Sequence, residues 1–352
     1  MNILLIYDQQ LGGVNSIGRL IEKKIYSSNK INIISYYTSY NYVDFFLNKK
    51  SLISNLFVDS SLYKFILFLD ILKIKLFNKK FNLIHCLNET SSPIAYHFKK
   101  KFMIKYIITI HANYSKFFYK KKYHRLAFDE SDKIISVSNF TKKYFLNFAN
   151  LKHKTITVHT GVDIDIFYKL SNNYKKNQIV FVGPIEKERK GFRFLLDLIE
   201  KYNKNNFELI IVSNSNKSDQ RYKKLLLRLN KTNIKYKIYE NIKNSFLNKI
   251  YNDSKINFAA CSDYDDMYFE GFNLTIIEAY SAGTKSIVSS STATEEALSF
   301  ADGYSVKFGD IESLNLIVDK ILNENYSINM HNEKIRTHND FIKDLKNIYT
   351  KL

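Results

Sequence analysis

The segment QIVFVGPIEKERKGFRFLLDLIEKY (178–202) contains the pattern that recurs along most of this 352-residue chain. An apolar run of strand length is followed by a polar loop, and the loop is followed by GFRFLLDLIEKY, whose apolar residues have helical spacing. Strands that alternate with helices form parallel sheets that are covered by helices on both faces. The segment therefore predicts an α/β fold.

The alternation occurs in two series of strand-like runs, which are separated by the polar stretch KLSNNYKKNQ (169–178). We predict two Rossmann-like, doubly wound domains, residues 1–168 and 178–330, with a terminal helix within 333–352 that packs back on the first. Ligands bind at the carboxyl ends of such strands, so we expect a central cleft that the domains face. The predicted strands are 2–7, 31–38, 82–88, 105–112, 133–139, 155–162, 178–184, 207–214, 236–242, 256–262, 286–291 and 304–309.

Composition excludes several classes of protein. The chain is 45% hydrophobic and 25% charged, which is typical of a globular protein. Its two cysteines, Cys86 and Cys261, lie in apolar runs and provide neither a disulfide framework nor a metal set, so a reducing cytoplasm is expected. The N-terminus lacks the basic region of a signal peptide. The most apolar segment, 65–77, is too short and too charged to span a bilayer.

Positive charge is concentrated in the first half of the chain. Of the formal net charge of +19, residues 1–165 carry +14. A mutational bias acts on a whole chain, so this asymmetry indicates an anionic partner, namely a membrane surface, a phosphate-bearing acceptor or nucleic acid. Segments 45–80 and 116–125 mix lysines with aromatic residues, which suits an anionic lipid surface. The alternative for 45–80 is a core helix with an exposed lysine face. No nucleic-acid recognition module is visible, so no nucleic acid is expected.

Two glutamates flank a loop-to-helix junction in EGFNLTIIEAYSAG (270–283). Glu270 lies in the loop, Gly271 permits an unusual backbone angle, the helix begins near Asn273, and Glu278 lies in its second turn. The free N–H groups at that helix N-terminus attract a diphosphate, and carboxylates accept hydrogen bonds from sugar hydroxyls. The alternative is a pair of solvated glutamates on an exposed turn.

This junction and six other segments resemble the glycosyltransferases of family 4, which have the two-domain GT-B fold. EGFNLTIIEAYSAGTKSIVSSSTATEEAL resembles the E-x7-E block of that family. The other segments follow in the order of the family: YDQQLGGVNSIGRL, YIITIHAN, SDKIISVSNFTKKYF, VHTGVDIDIF, FVGPIEKERKGFRFLL and ADGYSVKFGDIESL.

The resemblance implies roles for particular residues. Glu278 would hold the ribose hydroxyls of the nucleotide, and Glu270 would contact the transferred sugar. His111, at the end of a strand, would hydrogen-bond a hydroxyl of the donor sugar near the reacting carbon. The backbone amides expected to meet the phosphates belong to Gly271, Phe272, Asn273 and Leu274; the family usually has glycine where this chain has Asn273.

The family also places two cations on the diphosphate. Lys190 precedes a glycine, as in the family, but Pro184 occupies the position of the usual arginine. Arg189 or Lys187 is expected to reach in instead. The alternative is a solvated basic loop.

Two further glycines, Gly12 and Gly13, lie between the first strand and the first helix, where a donor can lie against the backbone. They match neither the dinucleotide fingerprint nor the P-loop, and a plain tight turn is the alternative.

The resemblance implies a retaining enzyme that moves a sugar from a UDP- or GDP-type nucleotide sugar to a lipid-linked saccharide, a lipopolysaccharide or another surface polysaccharide. No metal and no other cofactor is expected, although DYDD (263–266) contains a D-x-D. The expected location is cytoplasmic, at the inner face of a bacterial plasma membrane. Alternatives are a non-catalytic GT-B protein that binds glycan or nucleotide sugar and a nucleotide-sugar epimerase of similar fold.

Overall fold

The computed structural model describes residues 1–7, 13–25, 31–38, 61–76, 80–112, 114–171, 174–262, 269–323 and 335–352. The chain divides into two compact units, of which the first is Met1–His159 with Asn339–Leu352 and the second is Thr160–His338. Each unit has a parallel sheet of six strands and its own apolar core. The predicted α/β fold of two doubly wound sheets is confirmed.

The sheet of the first unit has the strand order β2-β1-β3-β4-β5-β6. All its neighbours are parallel, and Leu4 of the first strand pairs with Ile34 on one side and Ile84 on the other. Because helices cover both faces, the central strands are almost continuously apolar and buried. The strands are β1 Asn2–Tyr7, β2 Asn32–Tyr37, β3 Leu83–Cys86, β4 Lys105–Ile110, β5 Lys133–Ser136 and β6 Thr155–Thr157.

The helices of the first unit include the last helix of the chain, α13, whose Phe341, Leu345 and Tyr349 pack with Ile3 and Leu5 of β1. Short 3₁₀ turns precede α3 and β6, at Glu89–Ser91 and Lys152–Lys154. The α-helices are α1 Gly13–Ile25, α2 Ser61–Leu76, α3 Ser92–Phe102, α4 Tyr114–Tyr119, α5 Lys122–Glu130, α6 Asn139–Leu146 and α13 His338–Thr350.

The sheet of the second unit has the order β12-β11-β10-β7-β8-β9. The strand order reverses between β7 and β10, where Phe181 pairs with Phe258. A crevice for ligands forms outside the carboxyl ends of the strands at such a reversal. The strands are β7 Lys176–Val182, β8 Glu208–Val212, β9 Lys235–Tyr239, β10 Ser254–Ala259, β11 Lys285–Ser289 and β12 Gly303–Val306.

The helices of the second unit cover both faces of this sheet. Phe194, Leu195 and Leu198 of α7 are fully buried in its core, as expected from the amphipathic stretch after residue 190. The 3₁₀ turns are Glu188–Lys190 and Leu298–Phe300. The α-helices are α7 Phe192–Lys201, α8 Gln220–Asn230, α9 Asn244–Asp253, α10 Leu274–Ser281, α11 Ala293–Ala297 and α12 Ile311–Asn323.

Within the described ranges, no helix combines the length and the apolar character that crossing a lipid bilayer requires.

Candidate functional site

The loop after β7 lies directly against the chain that leaves β10. It makes one 3₁₀ turn, Glu188–Lys190, and then passes through Gly191, whose φ is 76°. A Cβ on Gly191 would lie 1.9 Å from the carbonyl oxygen of Ala260. Only glycine fits there, because it has no side chain and adopts positive φ without strain. The sequence therefore brings these two loops into contact at the reversal of the strand order.

Ser262 joins the two loops by hydrogen bonds. Its N–H donates to the carbonyl oxygen of Arg189 at 3.2 Å, and its hydroxyl donates to the carbonyl oxygen of Glu188 at 2.9 Å. The hydroxyl of Ser289, at the end of β11, donates to the carbonyl oxygen of Cys261 at 2.6 Å. These bonds fix the backbone that carries Arg189 and its neighbour Lys190.

Two cations of the β7 loop, Arg189 and Lys190, pair with Glu270. Lys190 Nζ lies 3.0 Å from Glu270 Oε1, and the guanidinium of Arg189 binds Glu270 Oε2. The side chains of Lys190 and Glu270 are each only 14% exposed. Burial alone would raise the pKa of Glu270, but Arg189 and Lys190 outweigh it and hold that pKa below its usual value. Glu270 is therefore ionised at neutral pH, rather than a solvated glutamate on an open turn.

Glu278 has a different environment on α10. Burial raises its pKa to about 7, although the Tyr251 hydroxyl and the nearby Lys190 act in the opposite direction. The Tyr251 hydroxyl donates to Glu278 Oε2 at 3.2 Å. Lys190 lowers the pKa of both glutamates, so its ammonium group lies within electrostatic reach of both. The arrangement is one ionised and one readily protonated carboxyl near a shared cation.

The N-terminus of α10 lies between the two glutamates. Asn273 is its N-cap, and its side-chain oxygen accepts hydrogen bonds from the N–H of Thr275 at 3.2 Å and from the Thr275 hydroxyl at 2.9 Å. The φ of Asn273 is −100°, so this position uses an ordinary extended backbone and needs no glycine. Phe272 packs edge-on against Phe300, and Leu274 is the first residue of the helix.

His111 follows β4 in the first unit. Its backbone N–H donates to Glu89 Oε1 at 2.7 Å, and its Nε2 lies 2.8 Å from the carbonyl oxygen of Leu87. A carbonyl oxygen only accepts, so Nε2 carries the proton. Burial lowers the pKa of His111 to about 4, which makes the ring neutral at physiological pH. Nδ1 is then the ring atom that can accept a hydrogen bond from a ligand hydroxyl.

Of the two glycines expected at a donor site, Gly13 lies in the described part of the chain. Gly13 begins α1, and a Cβ there would meet no atom of the described residues within 4 Å. Gly12 and the acidic segment 263–266 lie outside the described residues.

Family models match nearly all of the chain beyond its first strands. The model of the glycosyl transferases group 1 matches residues 163–339, and that of glycosyltransferase family 4 matches residues 49–166. This chain belongs to the group 1 glycosyltransferases. The resemblance to family 4 that the motifs indicated is confirmed, as is the prediction of an enzyme of the glycosyltransferase class.

Solved structures agree on the GT-B fold of this glycosyltransferase. Sucrose-phosphate synthase from Thermosynechococcus elongatus superposes with a TM-score of 0.73 at 15% identity, over 99% of this chain and 98% of the other. Anabaena HepE, in complex with UDP and glucose, gives 0.72 at 12% identity over 100% of both chains. The lipopolysaccharide outer core galactosyltransferase WaaB, in its apo form, gives 0.71 at 16% identity over 100% of both. No curated protein sequence matched this chain.

Sequence reasoning did not single out Ser262, Glu89 or Tyr251, each of which hydrogen-bonds a candidate site residue of its own unit. Ser262 and Glu89 each follow a buried strand at its carboxyl end, a position at which polar residues could have been noticed. Tyr251 lies on α9 among apolar residues, and nothing in the sequence distinguishes it from a core tyrosine.

Proposed function

We propose that this glycosyltransferase moves a sugar from a UDP-type donor to a lipid-linked saccharide, with retention of anomeric configuration. The proposal depends chiefly on one observation, the convergence of Arg189 and Lys190 on Glu270 beside the N-terminus of α10. Two cations and the amides of a helix N-terminus, at the strand-order reversal of a Rossmann-like sheet, suit a diphosphate.

Glu270 keeps the two cations in place before a donor binds. Withdrawing a cation from water without a partner is costly, and the carboxylate of Glu270 pairs with both of the partly buried cations, Arg189 and Lys190. A donor diphosphate carries two negative charges, and it competes with Glu270 for the same cations. Once displaced from them, the Glu270 carboxylate can accept hydrogen bonds from hydroxyls of the transferred sugar.

The leaving group determines the reaction. An acceptor hydroxyl forms a bond to the anomeric carbon while the bond from that carbon to the diphosphate oxygen breaks. Lys190 and Arg189 stabilise the negative charge that develops on the leaving phosphate, and the acceptor proton passes to a phosphate oxygen. Attack on the face from which the diphosphate departs retains the configuration. No carboxylate nucleophile and no metal is needed, because side-chain cations supply the charge.

His111 and Glu278 have supporting roles in this proposal. The neutral His111 ring accepts a hydrogen bond at Nδ1 from a hydroxyl of the donor sugar. Glu278 accepts hydrogen bonds from the ribose hydroxyls.

Proteins of similar fold suggest the classes of donor and acceptor, and the positive charge of residues 1–165 supports the class of acceptor. HepE has been solved with UDP-glucose, and WaaB is a lipopolysaccharide galactosyltransferase. The excess positive charge of residues 1–165 favours an acceptor that carries phosphate or that lies on the anionic inner face of a plasma membrane.

The test begins with a donor screen and ends with a matched pair of variants. UDP, GDP and ADP are compared by the rise they cause in Tm, and UDP is expected to give the largest rise. Lys190→Ala should then lower kcat by about 10²–10³-fold, since it removes charge from the leaving phosphate. The control is Lys176→Ala, which removes an ion pair with Asp253 elsewhere in the second unit. Wild-type turnover by Lys190→Ala, or an inverted product by NMR, would refute the proposal.

A further inference from the structure

Helix α2 has two apolar faces, although a surface helix needs only one. Tyr63, Leu67, Ile71 and Ile74 are buried in the core of the first unit. The opposite side presents large apolar side chains to solvent, with Phe65 55% and Phe68 52% exposed. We call this side the α2 outer face; it consists of Phe65, Phe68, Leu69, Leu72 and Leu76. Isolated exposed apolar residues are ordinary, but five on one 16-residue helix form a contiguous stripe.

The positive and negative charges of α2 lie on different sides of the helix. Lys64, Lys73 and Lys75 are exposed alongside the apolar stripe. The helix contains one acidic residue, Asp70, which is fully buried and accepts a hydrogen bond of 2.7 Å from the hydroxyl of Tyr36. Among the side chains described on α2, every exposed residue is therefore either apolar or cationic.

A second basic and aromatic segment adjoins this helix. The ammonium group of Lys64 lies 5.7 Å from the ring centre of Tyr123, and the Tyr63 hydroxyl bonds His124 Nε2 at 2.7 Å. Tyr123 follows Lys120, Lys121 and Lys122, and it is itself exposed. The structure thus brings together the two segments, 61–76 and 116–125, in which lysines alternate with aromatic residues.

We propose that the α2 outer face and the lysines beside it bind the surface of an anionic lipid bilayer, with α2 lying in the plane of the interface. The apolar side chains enter the boundary between headgroups and acyl chains, while the lysine stems extend along it and hold their ammonium groups at the phosphates. The inference rests on the proposed function, because it names the surface on which a lipid-linked acceptor is met.

Other occupants fit these charges less well. The centres of protein–protein interfaces are depleted of lysine, whereas lysine is favoured at a lipid interface. Two copies of this chain that met through the same face would bring their lysines together and repel each other. An anionic bilayer complements both the apolar stripe and its cations.

The experiment uses the full chain without nucleotide, so that its outcome does not depend on the proposed chemistry. Co-sedimentation is measured with vesicles of phosphatidylcholine alone and of phosphatidylcholine with phosphatidylglycerol. The double variant Phe65→Ser/Phe68→Ser should bind mixed vesicles at least about tenfold more weakly. Its control is Leu316→Ser on α12, which removes an apolar side chain that is 70% exposed in the second unit.

A second set of variants tests the charges. Each lysine near an anionic surface strengthens binding by about 1 kcal/mol, a factor of about five. The triple variant Lys64→Gln/Lys73→Gln/Lys75→Gln should therefore lose up to about a hundredfold in affinity for the mixed vesicles and little for the neutral ones. The charge-matched control changes three exposed lysines of the second unit to glutamine: Lys223, Lys224 and Lys231.

Two results would overturn this inference. One is equal vesicle binding by the Phe65→Ser/Phe68→Ser variant, by Leu316→Ser and by the wild type. The other is a wild-type dimer in light scattering that the same double variant dissociates, which would make the face an interface between copies. An unchanged Tm shows that the variants are folded. An unchanged rise in Tm with UDP shows that they still bind the nucleotide, so that a loss of vesicle binding does not reflect a loss of donor binding.

Discussion

Replacing Gly191 by alanine tests the geometry of the β7 loop most directly. The new Cβ would lie 1.9 Å from the Ala260 carbonyl oxygen, whereas ordinary contacts begin at 3.4 Å, so one loop must move by about 1.5 Å. The positive φ adds about 1–2 kcal/mol for any residue with a Cβ. Because the displaced loop carries Arg189 and Lys190, we expect lost affinity for nucleotide as well as lost stability.

Gly309→Ala is the matched control for this variant. The φ of Gly309 is +88°, also in the left-handed region, but a Cβ there would meet none of the described atoms within 4 Å. It should lose about 1–2 kcal/mol of unfolding free energy in a urea titration and should keep its affinity for UDP. Gly191→Ala should lose more stability, and its kcat/KM should fall about a hundredfold, as expected for a misplacement of an ångström or more. If the two variants lost equal stability and both kept wild-type kcat/KM, the contact with Ala260 would not position the loop.

Three other perturbations have distinct readouts. Tyr349→Phe removes the hydroxyl 2.6 Å from Nδ1 of the buried His85 and should lower the free energy of unfolding, measured by urea titration, by about 1–3 kcal/mol. Tyr174→Phe, at an exposed site, is the control and should leave the free energy of unfolding unchanged; equal stabilities of the two variants would contradict this. Burial raises the pKa of Glu278 to about 7, so affinity for UDP-glucose, measured by calorimetry, should fall about tenfold per pH unit below pH 7. Glu278→Gln should remove this pH dependence. Identical pH profiles for the wild type and this variant would exclude a role for the ionised carboxylate. Arg189→Met should weaken UDP binding by about 1.5–3 kcal/mol if this guanidinium replaces the usual arginine, and unchanged affinity would show that it does not.

Much of the fold could be predicted because the strands are buried on both faces. Each of the twelve predicted apolar runs contains or overlaps a strand, from Asn2–Tyr7 to Gly303–Val306. Local composition alone predicts such strands, and the glycines and polar residues between them predict the loops. The terminal helix was also visible from its spacing, and it spans His338–Thr350.

The contacts within the site could not be predicted in the same way. Lys190 and Glu270 were each expected at a donor site, but their pairing joins residues 80 positions apart and depends on how β7 and β10 align. The pairing of Arg189 with Glu270 depends on side-chain reach, which spacing does not encode. The bond between His85 and Tyr349 crosses 264 positions, and neither residue has a neighbour that suggests the other.

The course of the chain through the two units has a consequence for biosynthesis. The second unit, Thr160–His338, is inserted between the body of the first unit and its last helix, α13. Until a ribosome has produced that helix, Ile3 and Leu5 lack the cover of Phe341 and Leu345. A nascent chain must therefore keep an open hydrophobic surface while the whole inserted unit is translated, which makes this surface a natural contact for chaperones during synthesis.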